Sequence, residues 1–180
     1  LALALLVGFP VFVSAAMGII RQEGNIKAYN VEIPVVKGWN LIASGLIFAS
    51  DLNYLDETGD IKKKDIKAVY VYSNKIREYI SNYPKYDERL YSASNYFNGD
   101  EKDIIGQANW IYADRSGTLK YKTKGIKVID STKLFGGYNF ISITPEYIGK
   151  KLDDIKGTCN LEKVWTWEAE HQRWINLIED

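Results

Sequence analysis

The sequence predicts an α+β protein: a long hydrophobic N-terminal α-helix, then a mainly antiparallel, sandwich-like β-domain with an internal repeat. Three observations carry this expectation. Residues 1–20, LALALLVGFPVFVSAAMGII, hold no charged side chain. The remaining residues repeatedly alternate aromatic and β-branched side chains at period two, the pattern of strands. The motif Lys37-Gly38-Trp39-Asn40-Leu41-Ile42 returns ninety-nine residues later as Gly136-Gly137-Tyr138-Asn139-Phe140-Ile141. The expected boundaries are a hydrophobic helix over 1–28 and a β-rich domain over 29–180, with repeat halves of about 31–125 and 126–180.

As a helix, twenty apolar residues would span about 30 Å, the thickness of a bilayer's hydrocarbon core. Pro10 is tolerated in such a setting. Arg21, Gln22 and Glu23 mark the polar exit, and Gly24-Asn25 is a helix stop. The segment has three readings: the apolar region of a signal peptide cleaved near Ser14-Ala15-Ala16-Met17, a membrane anchor, or an assembly helix. Its layout resembles that of archaeal type IV pilins over residues 1 to about 30. Leu5 stands where many bacterial pilins carry Glu, which favours the archaeal branch. The resemblance implies a structural subunit of an extracellular filament, inserted in the membrane before assembly and then polymerised with identical subunits. It implies an assembly core of Leu3, Leu6, Gly8, Phe9, Phe12, Val13, Ala16 and Ile19, in which small residues allow close approach and large ones fill the gaps.

The β-part reads as follows. Val69-Tyr70-Val71-Tyr72 and Val164-Trp165-Thr166-Trp167 are strands related by ninety-five residues. Polar turns at Ser73-Asn74-Lys75 and Glu168 to Gln172 lead into returning strands that set Tyr79 and Trp174 opposite those aromatics. These are also ninety-five residues apart, so three anchors recur in one order. Asn109-Trp110-Ile111-Tyr112 adds a strand, followed by a Ser116-Gly117 turn and a strand over Thr118 to Lys122. Gly38 and Gly137 allow a bend or a close backbone approach before their strands.

This order of elements resembles the "GWNLIS" β-domains of archaeal and bacterial surface proteins over most of residues 31 to 180. The resemblance implies an extracellular, non-catalytic module and names no ligand. The second copy lacks its own Trp-Ile-Tyr strand, so the last strand, near Trp174 to Ile178, is expected to close a sheet or lie at an edge.

Two polar segments interrupt the repeat. Asp51 to Lys67, with Lys62-Lys63-Lys64, reads as solvated surface. Ser81 to Asp103 carries Tyr83, Tyr86, Tyr91 and Tyr96, read either as a loop held by its own aromatics or as a Tyr-rich contact surface. Gly149 to Ile155 reads as a short amphipathic helical turn.

Composition excludes several functions. The 23 basic and 23 acidic residues cancel, leaving no basic excess for nucleic acid. One Cys and one His cannot build a Cys/His zinc cluster. Cys159 reads as a small core residue, and His171, in a polar stretch, as a solvated turn or strand residue, with a carboxylate partner as the open alternative. There is no N-x-[ST] sequon. Asp51, Asp56, Glu57 and Asp60 are a minor Ca²⁺ candidate whose spacing matches no EF-hand. No nucleophile elbow, phosphate loop or zinc-protease motif occurs. No catalytic residue, metal or cofactor is therefore expected. The expected function is a filament subunit. The alternative is a membrane-anchored surface binding module or S-layer component, with Trp39, Trp110, Trp165, Trp167 and Trp174 as glycan platforms or, more simply, core.

Overall fold

The computed structural model describes residues 11–14, 19–23, 28–42, 55, 58–73, 75–92, 108–123, 138–141, 151, 156 and 160–177. These residues form eleven strands. In chain order they are β1 (Val11–Ser14), β2 (Ile19–Glu23), β3 (Ala28–Val35), β4 (Gly38–Ile42), β5 (Ile66–Ser73) and β6 (Glu78–Tyr83). Then come β7 (Asn109–Ala113), β8 (Gly117–Thr123), β9 (Asn139–Ile141), β10 (Val164–Glu168) and β11 (Arg173–Asn176). Short 3-10 turns occupy Lys63–Asp65 and Glu88–Ser92. The strands make three sheets, ordered β2-β3-β8, β4-β7-β5-β6 and β9-β1-β10-β11.

The expected N-terminal helix is corrected by this arrangement, and with it the α+β class. Phe12 and Val13 lie in β1 and Ile19 lies in β2. Leu3, Leu6, Gly8, Phe9 and Ala16 fall outside the described residues. Among the described residues, no helix is long and apolar enough to cross a membrane. The physical reason is local and tertiary together. Val11-Phe12-Val13 is a run of β-branched and aromatic residues, which favours a pleated strand. The strand pairs on both edges, with β9 and with β10, so its backbone groups find partners without a helix. Both pairings are parallel, whereas the other two sheets are antiparallel throughout.

The middle sheet, β4-β7-β5-β6, is covered on both faces. One face is aliphatic: Ile42, Ile66, Val69, Ile111 and Ala113 pack on Val31, Ile33, Val35, Leu119 and Tyr121 of the β2-β3-β8 sheet. Period-two alternation sends the neighbours of these residues to the other face, which is aromatic. There Leu41, Tyr72, Ala108, Trp39 and Trp110 meet Phe140, Trp167 and Trp174 of the third sheet.

The repeat is structural. Tyr72 pairs with Tyr79 and Ser73 with Glu78 in the first hairpin; Trp167 pairs with Trp174 and Glu168 with Arg173 in the second. Every one of these positions is related by ninety-five residues. The same offset joins Arg77, with φ 59°, and Gln172, with φ 52°, the two non-glycine residues with positive φ among the described residues, each one position before the returning strand. The expected edge position of the last strand is also seen, since β11 borders only β10.

The asparagine of the GWN motif has a structural task. Asn40 is 3% exposed. Its Oδ1 accepts the Val36 N–H at 2.9 Å, and its Nδ2 donates to the carbonyls of Val36 at 2.8 Å and Gly38 at 3.0 Å. The side chain thus closes the turn from β3 into β4 and satisfies the backbone N–H and carbonyl of Val36, which lies between the strands. At the next crossing, the Thr118 N–H donates to Asp60 Oδ2 at 3.0 Å while the Thr118 carbonyl accepts from Asp60 and Ile61. Gly117 leaves room for this, because a Cβ there would lie 2.7 Å from Asp60 Cβ.

Charged contacts lie outside the core. Lys63 and Lys64 are exposed, as expected for a solvated run. Arg89 bridges Asp87 at 2.7 Å and Glu78 at 2.8 Å, tying the second 3-10 turn to β6. The Arg89 guanidinium holds the Asp87 carboxyl below its ordinary 3.8. A carboxylate lowered in the folded state stabilises the fold above its unfolded pKa and loses that contribution as pH falls through the folded value. The midpoint of urea unfolding is therefore expected to fall between about pH 5 and pH 3, and to fall less in Asp87→Asn. Chemical denaturation at stepped pH measures both.

Candidate aromatic binding site

Strand alternation gathers the site. On the aromatic face of the middle sheet, Trp39 stands opposite Tyr112, Trp110 opposite Leu41 and Tyr70, and Tyr72 opposite Tyr79. The second hairpin contributes the paired Trp167 and Trp174. Between them lies a hollow of about 430 Å³, lined by Trp39, Tyr70, Tyr79, Trp110, Trp167 and Trp174. Four residues come from the first half of the chain and two from the second.

The rings hold one another edge to face. Trp110 is the hub, with centroids 6.1 Å from Trp39, 5.0 Å from Trp167 and 5.4 Å from Trp174, at interplanar angles of 87°, 78° and 87°. Trp167 and Trp174 meet at 5.1 Å and 67°. Such pairs contribute roughly 0.5–1.5 kcal/mol each beyond their buried area and fix the walls without a polar scaffold. Tyr79 stands at the mouth, 49% exposed. Partial enclosure of its phenol pushes the pKa above the ordinary 10.0, against the Trp110 indole, which lowers it. The phenol therefore stays protonated at neutral pH and offers a hydroxyl donor and acceptor beside the aromatic walls.

A glutamine joins the two halves beside the hollow. The Trp39 N–H donates to Gln172 Oε1 at 2.7 Å, and Gln172 Nε2 donates to the Trp39 carbonyl at 2.9 Å. The same amide nitrogen reaches the Ala169 carbonyl within its own turn at 2.5 Å. Trp167 Nε1 adds a bond to the Trp39 carbonyl at 2.8 Å. This close docking explains Gly38. Its φ is +108°, and a Cβ there would lie 2.7 Å from Gln172 Oε1. The expectation at Gly38 is a bend or a close backbone approach; both are present, and Gly137 falls outside the described residues.

Charges on the neighbouring turn are mutually engaged. Glu168 Oε2 accepts from Arg173 Nε at 2.6 Å and lies 3.0 Å from His171 Nδ1. Arg173, and behind it His171, hold the Glu168 carboxyl below its ordinary value. His171 is exposed and has this carboxylate as its neighbour. The lining itself consists of indoles and phenols, which suit stacking and contact with apolar ring faces.

The other sequence-derived candidates are placed as follows. Tyr83 ends β6 and packs against the aliphatic core. Tyr86 is half-buried, Tyr91 lies in the Glu88–Ser92 turn, and Tyr96 falls outside the described residues. Trp165 is half-buried on β10. Asp60 caps the start of β8, while Asp51, Asp56 and Glu57 fall outside the described residues, as do Cys159 and most of Gly149 to Ile155. Among the described residues no group of three or more His, Cys, Asp or Glu could hold a metal. The sequence reading missed Gln172. Its signal was the ninety-five-residue offset, which aligns it with Arg77 at a left-handed turn position. The chain matches no protein-family model, no curated protein and no solved structure.

Proposed function

We propose that this chain is a non-catalytic extracellular binding module whose aromatic hollow takes the sugar rings of a glycan. One observation carries the reading: six aromatic side chains from both halves of the repeat surround a single open hollow of about 430 Å³. A pyranose ring presents apolar C–H faces that stack on indoles and hydroxyls that pair with phenols. The hollow offers both, with Tyr79 at its mouth. Its volume lies within the roughly 300–1,000 Å³ range of small-ligand sites. The resemblance of the Gly-Trp-Asn repeat to surface β-domains supports an extracellular setting. The filament reading relied on an N-terminal helix, whereas Val11–Ser14 and Ile19–Glu23 lie in strands.

The test is a titration of tryptophan fluorescence with a panel of neutral and N-acetylated oligosaccharides. A saturable change is expected. Trp174→Ala, at a half-buried position, is expected to weaken binding at least about tenfold, equivalent to about 1.4 kcal/mol. The reading fails if no saccharide shifts the emission, or if tetramethylammonium shifts it and saccharides do not. The second result would assign the hollow to a quaternary cation.

A further inference from the structure

The two halves of the repeat fill the same place in their sheets with strands of opposite direction. In the first half, β7 lies between β4 and β5 and runs antiparallel to both. Ile111 stands opposite Asn40 and Val69; Trp110 stands opposite Leu41 and Tyr70. In the second half, β1 lies between β9 and β10 and runs parallel to both. Val11 stands opposite Asn139 and Val164; Phe12 stands opposite Phe140 and Trp165. Asn139 and Phe140 are the repeat partners of Asn40 and Leu41, and Val164 and Trp165 those of Val69 and Tyr70. Val11 therefore occupies the station of Ile111, and Phe12 that of Trp110. Only the direction is reversed.

This juxtaposition has two physical consequences. The period-two alternation of a strand survives reversal, so the slot between β9 and β10 selects an apolar–aromatic alternation and not a chain direction. Parallel pairing is slightly weaker per residue than antiparallel pairing. A strand donated from within the chain runs in whichever direction its connection to β2 imposes. A strand donated by another copy is free of that constraint. Among the described residues, the slot is also the one position of this sheet filled from outside residues 126–180.

We infer that the slot between β9 and β10 is a strand-acceptor site whose second occupant is the Val11–Ser14 segment of another copy of this chain. Exchange in the parallel sense keeps the strand pairing of the closed form, and exchange in the antiparallel sense takes up the pairing direction of β7; either links copies. It closes into a dimer when reciprocal and extends into a chain of subunits when each copy donates onward. It is independent of whether the aromatic hollow binds a glycan.

Single-cysteine chains test it in a Cys159→Ser background. A tagged chain carries Val11→Cys or Val13→Cys and an untagged chain carries Thr166→Cys. The two are unfolded together, refolded as a mixture and oxidised. Val13 is the register partner of Thr166 in parallel pairing. Val11 takes that place if the strand enters antiparallel with Phe12 kept opposite Trp165. Exchange gives a disulfide-linked tagged–untagged dimer from one of the two mixtures, well above the yield of a Lys75→Cys control on the exposed hairpin turn. The inference is overturned if neither mixture exceeds that control. It is also overturned if two double variants, Val13→Cys with Thr166→Cys and Val11→Cys with Thr166→Cys, both fail to give intermolecular disulfides whose yield rises with protein concentration.

Discussion

Asn40→Ala is expected to destabilise the protein by about 3 kcal/mol, from two to three lost hydrogen bonds and a buried amide left without a partner. The substitution leaves the Val36 N–H and the carbonyls of Val36 and Gly38 without the side chain that serves them. These groups belong to the turn between the two sheets of the first half, at the foot of the hollow. The loss therefore reaches the neighbouring Trp39, whose backbone N–H and carbonyl hold Gln172 of the second half. Asn40→Asp is the informative companion, because it keeps the acceptor for Val36 N–H but replaces the donor with a buried negative charge. Thermal and urea unfolding give the size of the effect. Asn139 is equally buried and occupies the same repeat position. Asn139→Ala is expected to cost a similar amount if the motif performs one task twice. A loss below about 0.5 kcal/mol at Asn40, within the range of ordinary surface substitutions, would remove the turn-closing role.

The strands of the repeat were legible because each half carries two independent marks. Alternation in Val69 to Tyr72 and in Val164 to Trp167 gives the element, and the shared offset to Tyr79 and Trp174 gives its partner. Register then follows, because a slip of one residue would turn the aromatic face toward the aliphatic core. The N-terminal segment carried no such second mark. An uncharged apolar run satisfies a membrane helix and a buried strand equally well by composition. What decides it for Val11 to Ser14 is a vacancy between β9 and β10, created more than a hundred residues away and invisible to any local window. The absence of a Trp-Ile-Tyr strand from the second copy was visible in the sequence. That the opposite end of the chain would fill it was not.

The hollow was legible in its parts. Trp39, Trp110, Trp167 and Trp174 each read as core or platform, and in the structure they are partly both. Each packs against its neighbours while turning part of its surface into a shared space. Their convergence depends on two sheets meeting face to face, and the amide that sets this contact is Gln172. A glutamine in a polar turn gives no sign from composition that it will pair with a backbone segment 133 residues away.

Trp110→Ala is expected to cost about 3–5 kcal/mol, the range for removing a large packed aromatic. Trp110 touches rings from β4, β10 and β11, so its loss removes contacts within the first half and between the halves together. A cavity among edge-to-face rings refills poorly, since the remaining walls are held by one another and their angles were set by the missing indole. Both rings are half-buried, but the effect is expected to be larger than for Trp174→Ala because Trp110 also packs on Trp39 of the first half. Trp110→Phe separates packing from polarity. It retains most of the apolar contact but removes the indole N–H of Trp110, whose influence on Tyr79 lowers the phenol pKa against the effect of burial. The Tyr79 titration is therefore expected to move further upward in Trp110→Phe, read by ultraviolet absorbance at alkaline pH against a Tyr79→Phe control. An unchanged titration would show that the indole is only a wall. An upward shift with stability largely retained would make Trp110 both the hub of the packing and the group that orients the hydroxyl at the mouth of the hollow.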